Sequence, residues 1–145
     1  MIRRLAKYHR WVLWPPRLWI LLRALGLAAR AAIMVRRMPF PDFMERWSPP
    51  VAERERDTAP LVEGTDLVLV GTHQRRCFMR SLVLYRILRQ AGHGVRFAMG
   101  VRPDPQGGIL AHAWLEQDGE WVFPYGDRPE LYTETFGYPP RQGSA

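Results

Sequence analysis

From Leu18 to Met34 the chain is apolar at almost every helical turn, through Leu18, Trp19, Ile20, Leu21, Leu22, Leu25, Leu27, Ile33 and Met34. Arg23 and Arg30 interrupt this run, and Arg36 and Arg37 close it. The spacing predicts a helix that stops at Pro39-Phe40-Pro41, because proline cannot continue a helix and restricts the residue before it. Asp42 to Trp47 fits a short helical turn. After Ser48-Pro49-Pro50, the alternating charges of Glu53-Arg54-Glu55-Arg56-Asp57 predict solvated linker or irregular helix up to about Thr65. Asp66-Leu67-Val68-Leu69-Val70 fits either a strand or the first turns of a helix, and periodicity does not separate the two.

The second half is punctuated more clearly. Phe78, Leu82, Tyr85 and Leu88–Arg89 recur at helical spacing, and Gly92 suits a C-terminal stop. Val95 to Arg102 alternates as a strand does, and Pro103 to Gly108 is a loop by composition. Ile109 to Gln117 makes the next strand, with Ala111, Ala113 and Leu115 on one face and His112, Trp114 and Glu116 on the other. Asp118-Gly119 is a hairpin signal, and Glu120 to Phe123 returns antiparallel. The expected class is α+β, a helix packed on an antiparallel sheet with an N-terminal helical extension. The divisions are 1–50, a basic and apolar helical segment; 51–64, linker; 65–136, the core; and 137–145, a tail.

Charge sharpens that division. The chain carries +7 overall, yet residues 1–50 hold ten Lys/Arg against two Asp/Glu, and the remainder is nearly balanced. A split of this kind marks an attachment region beside a chemistry region. No zinc-finger, RNP or helix-turn-helix pattern accompanies the basic residues, so nucleic acid is not the expected partner. Central arginines are costly in a bilayer, which argues against a spanning helix at 18–34. The apolar run also lacks the form of a cleaved signal. Two readings of the helix remain. It packs on the core with its basic face outward, or it makes peripheral membrane contact through residues 11–37, with Trp11, Trp14 and Trp19 at the headgroups.

Cys77 is the only cysteine, so no internal disulfide and no multi-thiolate zinc site can form. His9, His73, His93 and His112 show no HxxxH or HExxH spacing, and no metal is expected. Cys77 near a helix start and His112 on a following strand are the two parts of a Cys–His nucleophilic site. The plain alternative is a small buried hydrophobe and a histidine with a structural partner. A first-turn position, with Arg75, Arg76 and Arg80 nearby, would favour a thiolate through the helix dipole and local charge. A third group should orient the imidazole. Asp127, Asp118 and Glu116 are the candidates, and Asp127 is preferred because it follows the return strand.

Taken together, Cys77-x-x-Arg80-Ser81-Leu82-x-Leu84-Tyr85-x-x-Leu88-x-x-x-Gly92, then Gly100-Val101-Arg102, then Ala111-His112-Ala113-Trp114-Leu115-Glu116 with Asp118-Gly119, resemble the transglutaminase-like processing proteins of lasso peptide biosynthesis. The resemblance covers about residues 65–135, and the apolar, arginine-rich segment before them also looks like the N-terminal part of such proteins. It implies a papain/transglutaminase-like core and a cysteine peptidase that removes the leader of a ribosomally made precursor peptide. Carried over, Cys77 would be the nucleophile, His112 general base and then acid, and Asp127 the third member. In that family the acidic residue commonly falls where this chain has Pro124, so Asp127 serves only if the loop bulges. The Cys77 N–H, with Gln74 and Trp114 as support, would stabilise the oxyanion.

The resemblance further implies a separate leader-recognition protein and a cyclase as partners, and a chemistry that needs no cofactor. A cytoplasmic location, with membrane association through the N-terminal helix, is expected. Two alternatives stand beside this reading. One is another acyl transferase on the same scaffold; the other is an inactive scaffold that binds a membrane or a partner protein.

Overall fold

The computed structural model describes residues 15–69, 73–122 and 128–141, with side chains from Leu18 onward and, in the central helix, from Cys77 onward. Four helices come first: α1 (Pro15–Val35), α2 (Phe40–Trp47), α3 (Ala59–Val68) and α4 (His73–Gln90). Then follow β1 (Arg96–Pro103), β2 (Ile109–Gln117), β3 (Glu120–Val122), a short 3-10 turn (Pro129–Leu131) and β4 (Thr133–Tyr138). The strands form one antiparallel sheet in the order β3-β2-β1-β4. The architecture is the expected α+β class, with the N-terminal helix present.

Helix α4 is the centre of the molecule because it is apolar on two sides. Leu82, Tyr85 and Leu88 pack with Phe97 of β1 and Ala113 and Leu115 of β2. Val83 and Ile87 face the other way, against Ala28 and Leu27 of α1 and Leu61 of α3. All five α4 side chains are essentially inaccessible to water. A buried side chain of this size stabilises by about 1.5–3 kcal/mol, so a helix with two such faces must lie between two layers.

Helix α1 presents small residues to that interface. Ala24, Ala28 and Ala31 are its buried positions. They recur at helical spacing and let the helix approach α3 and α4 closely. The larger Leu18, Trp19, Leu22, Leu25 and Ile33 stay exposed. The helix packs on the core with Arg30 exposed, and its packed side is built from alanines with Leu27, not from a leucine stripe. The physical reason is packing distance, since a leucine stripe would hold the helices further apart.

Helix α2 starts between Pro39 and Pro41, where missing N–H groups cost nothing, and buries Phe43, Met44 and Trp47. Trp47 Nε1 donates to the Leu82 carbonyl of α4 at 2.8 Å, and Ser48 Oγ pairs with the Tyr85 hydroxyl at 2.7 Å. The charged stretch beyond is a strap along α4. The Ala52 N–H donates to the Arg89 carbonyl and the Arg56 N–H to the Ala91 carbonyl, while Arg89 Nε holds the Pro49 carbonyl. Ala59–Val68 is helical, which settles the ambiguous stretch before Val70 in favour of helix.

The end of α4 is a two-bond glycine cap. His93 N–H reaches the Leu88 carbonyl at 3.0 Å and Gly92 N–H the Arg89 carbonyl at 3.1 Å, with Gly92 at φ +94°. A Cβ at Gly92 would also lie 2.8 Å from the Arg54 carbonyl oxygen. The Asp118-Gly119 hairpin forms as expected, both residues having positive φ (53° and 84°), as a two-residue turn with matching twist requires. Strand β4 had no sequence-based expectation. Its Phe136 and Tyr138 pack on the core, and the register with β1 shifts between Met99 and Gly100.

The sheet face opposite α4 carries an ion cluster. Arg96 bonds Glu116 at 3.0 Å and Glu134 at 2.5 Å, and Arg141 contacts both carboxylates at 3.1 Å. The hydrogen bond from Arg96 holds the Glu134 carboxyl below its ordinary value of 4.5, against the opposing effect of burial.

Gly92→Ala should destabilise the fold by about 2 kcal/mol, from strained backbone and the blocked approach of the strap. Urea denaturation measures this, and an unchanged midpoint would refute the account. Glu134 binds a proton more weakly folded than unfolded, so its contribution is fully present above about pH 4.5 and lost as the pH falls through the depressed folded value. Thermal melts between pH 7 and pH 3 should therefore fall more steeply for wild type than for Glu134→Gln. Parallel acid limbs would remove Glu134 from that role.

Candidate active site

Cys77 is 5% exposed and His112 6% exposed, each held on a regular element. Helix α4 begins at His73, so Cys77 is its fifth residue and not in the first turn. Only the first four N–H groups of a helix lack an intrahelical acceptor. The Cys77 N–H thus points along the ladder toward the His73 carbonyl. The dipole argument weakens for the same reason, because the effect fades beyond the first turn.

The charge around the thiol also differs from expectation. Arg80 is buried and its Nε lies 2.5 Å from Asp66 Oδ1 of α3, so one of the three expected cations is committed to a carboxylate. That pairing ties the Cys77 turn to α3. One turn beyond Cys77, Ser81 Oγ donates to the Ala113 carbonyl at 3.1 Å. The bond fixes the cysteine side of α4 to the residue directly after His112.

Alternation along β2 sends Ala113 and Leu115 into the core, and His112 and Trp114 to the other face. The His112 ring stacks on Trp114 with centroids 6.0 Å apart and lies 5.2 Å from Tyr132. Opposite His112 in the register stands Gly100. A Cβ there would come within 2.5 Å of the Thr133 carbonyl oxygen and 3.1 Å of the Trp114 ring. Only glycine leaves room for both the Trp114 indole and the close approach of β4 to β1 at Thr133.

A cavity of about 10 Å³ opens at Cys77, bounded by Ser81, Ala113, Trp114, Leu115 and Trp121 among others. Its walls include residues of both sheet faces. It therefore sits at the β3 side of β2, because β1 closes the other side. Among the described residues, β3 pairs with Leu115 to Gln117. Trp114 and Trp121 also wall a groove of about 320 Å³ that includes Tyr132, Glu116, Glu134 and Arg141. Cys77 and His112 thus converge on Trp114, one through the cavity and the other through the ring stack.

Of the candidates for orienting His112, Glu116 is taken up by Arg96, Arg141 and the Trp114 indole N–H. Asp118 is exposed in the hairpin turn, six residues along the chain from His112. Neither is placed to hold the imidazole. Asp127 lies outside the described residues, as does the side chain of Gln74. Trp114 lines the Cys77 cavity and stacks with the His112 ring. Ser81, Trp121 and Tyr132 belong to the site as well and carried no sequence signal of their own, since a serine in a helix and two scattered aromatics are ordinary. Among the described residues no cluster of His, Cys, Asp and Glu could hold a metal ion.

No curated protein matches the chain, and no solved structure does. The family described as the transglutaminase-like superfamily matches over residues 18–136, which takes in α1 as well as the sheet. That family's fold is of the cysteine protease or acyltransferase type. With a buried cysteine on the central helix and a histidine on the adjoining strand, the chain belongs to the transglutaminase-like superfamily.

Proposed function

We propose that this protein is a cysteine peptidase that cleaves the leader from a ribosomally synthesised precursor peptide of the lasso type. The observation that carries the catalytic part is the convergence of Cys77 and His112 on Trp114 at one edge of β2, pinned by the Ser81–Ala113 bond. The lasso assignment rests on the match of the Cys77 and His112 sequence blocks, in order and spacing, to that family's processing proteins. The groove walled by Trp114, Trp121 and Tyr132 adjoins the thiol cavity and offers an extended peptide an aromatic surface.

In this reading the imidazole of His112 takes the thiol proton as Cys77 Sγ attacks the scissile carbonyl. The tetrahedral intermediate collapses, the C–N bond breaks, and His112 returns that proton to the leaving amine. Water then attacks the thioester, giving up a proton to His112, and the leader leaves with a new carboxylate while the thiol is restored. Asp127 is the proposed third member, orienting the ring. A separate leader-recognition protein would present the precursor, and a cyclase would take the released N-terminus.

Cys77→Ala should abolish cleavage of a precursor peptide presented with its recognition protein, and His112→Ala should slow it by at least about 10³-fold. Asp127→Asn should cost on the order of 10²–10⁴-fold; full activity in that variant would mean a dyad. Because Cys77 is the sole thiol, iodoacetamide labels one position. Its alkylation at pH 6.5 should fall on the order of tenfold in His112→Ala, whereas a rate indifferent to His112 would make the cysteine structural. The mass of the released leader distinguishes the acceptor. A free carboxylate means hydrolysis, and an added amine means the transferase alternative.

A further inference from the structure

Five of the eight large apolar side chains exposed among the described residues lie on α1: Leu18, Trp19, Leu22, Leu25 and Ile33, each between 46% and 67% exposed. Projected around the helix at 100° per residue, Leu18, Leu22, Leu25 and Ile33 form one continuous stripe with Ala29. It lies opposite the buried Ala24, Ala28 and Ala31. Arg23 and Arg30, seven residues apart, fall together along one border of the stripe, and Trp19 is beside them. Arg86 of α4 joins this border, its guanidinium basicity lowered by burial and then by the charges of Arg30 and Arg23. Arg23 is steadied by a 2.8 Å hydrogen bond to Gln90 Oε1.

We propose that α1 is a membrane-surface anchor, lying flat on an anionic bilayer with its leucine stripe in the acyl boundary and its arginine border at the phosphates. Charge selects this occupant. The first 41 residues of the sequence contain nine Lys/Arg and no Asp/Glu. A second copy would bring like charge against like charge, whereas an anionic headgroup layer complements the border along its whole length. A membrane surface also needs no shape match to a stripe of mobile leucines. The helix has the length and hydropathy of a span over Leu18–Val35. It does not cross, because its alanine face is already committed to α3 and α4 and crossing would strip that interface. In this orientation α4 and the sheet stand on the aqueous side, held by the same helix that touches lipid. Trp11 and Trp14, expected at the headgroups as well, lie outside the described residues.

The test is sedimentation of the full chain with vesicles of phosphatidylcholine alone and of phosphatidylcholine with one third phosphatidylglycerol. Leu22→Ser/Leu25→Ser serves as the face variant and Arg30→Glu as the border variant. Both sites are exposed, so circular dichroism and melting should match wild type and separate binding from folding. Wild type should bind the anionic vesicles, and bind them less as salt rises. The face variant should lose on the order of tenfold in affinity, and the border variant should lose binding to the anionic vesicles specifically. Equal binding by wild type and the face variant would overturn the proposal, as would absence of vesicle binding. A wild-type dimer that the face variant renders monomeric, without vesicle binding, would assign the stripe to a second copy and overturn it too.

Discussion

The fold depends on one constraint: α4 carries large apolar side chains on two opposite faces. Its Leu82–Tyr85–Leu88 side demands the sheet, and its Val83–Ile87 side demands α1 and α3. A helix with a single apolar stripe could have been covered by the sheet alone. Here a second layer is compulsory, and α1 belongs to the domain and is no appendage to it. The family match beginning at residue 18 agrees with that physical argument. The strap from Trp47 to Arg56 then closes the remaining side, using backbone carbonyls and the guanidiniums of Arg86 and Arg89.

That enclosure also explains where chemistry can occur. A helix packed between two layers leaves room for a cavity chiefly near its ends. Its C-terminal end is sealed by the Gly92 cap and the strap, which leaves the end that carries Cys77. There the Arg80–Asp66 pair and the Ser81–Ala113 bond anchor the helix to its two layers. The thiol is therefore located by polar contacts to both neighbours, and not by a loop free to shift. The outer ion cluster plays the corresponding part for β2, fixing Glu116 and the Trp114 indole with two arginines drawn from β1 and the chain beyond β4.

Much of the sheet and α4 was legible because their residues punctuate themselves. Asp118-Gly119 and Gly92 take positive φ, and Ile109–Gln117 reads as one strand ending at that turn. Strand β4 was not legible, because Thr133-Glu134-Thr135 is polar and its pairing with β1 depends on a register shift that no local pattern marks. Which apolar residues of α1 face inward is not legible in its sequence, because hydrophobicity favours burying leucine while interhelical distance here favours alanine. The start of α4 at His73 is not marked in the sequence, since His73 to Arg76 carry no apolar periodicity. Cys77 and His112 stand out by residue type and spacing as candidates; Tyr132 and Ser81 do not, because their contacts exist only once strands and helix meet.

Trp114 belongs to two spaces at once, as wall of the thiol cavity and wall of the aromatic groove, with the His112 ring stacked against it. Its position is set by the absent side chain of Gly100 and by the Glu116 carboxylate. The two spaces consequently share one moving part. A ligand that displaces the indole from the groove side changes the room beside the sulfur in the same motion. Groove occupancy and the space at the sulfur become a single mechanical variable, so any change to the groove walls is also a change to the thiol's surroundings.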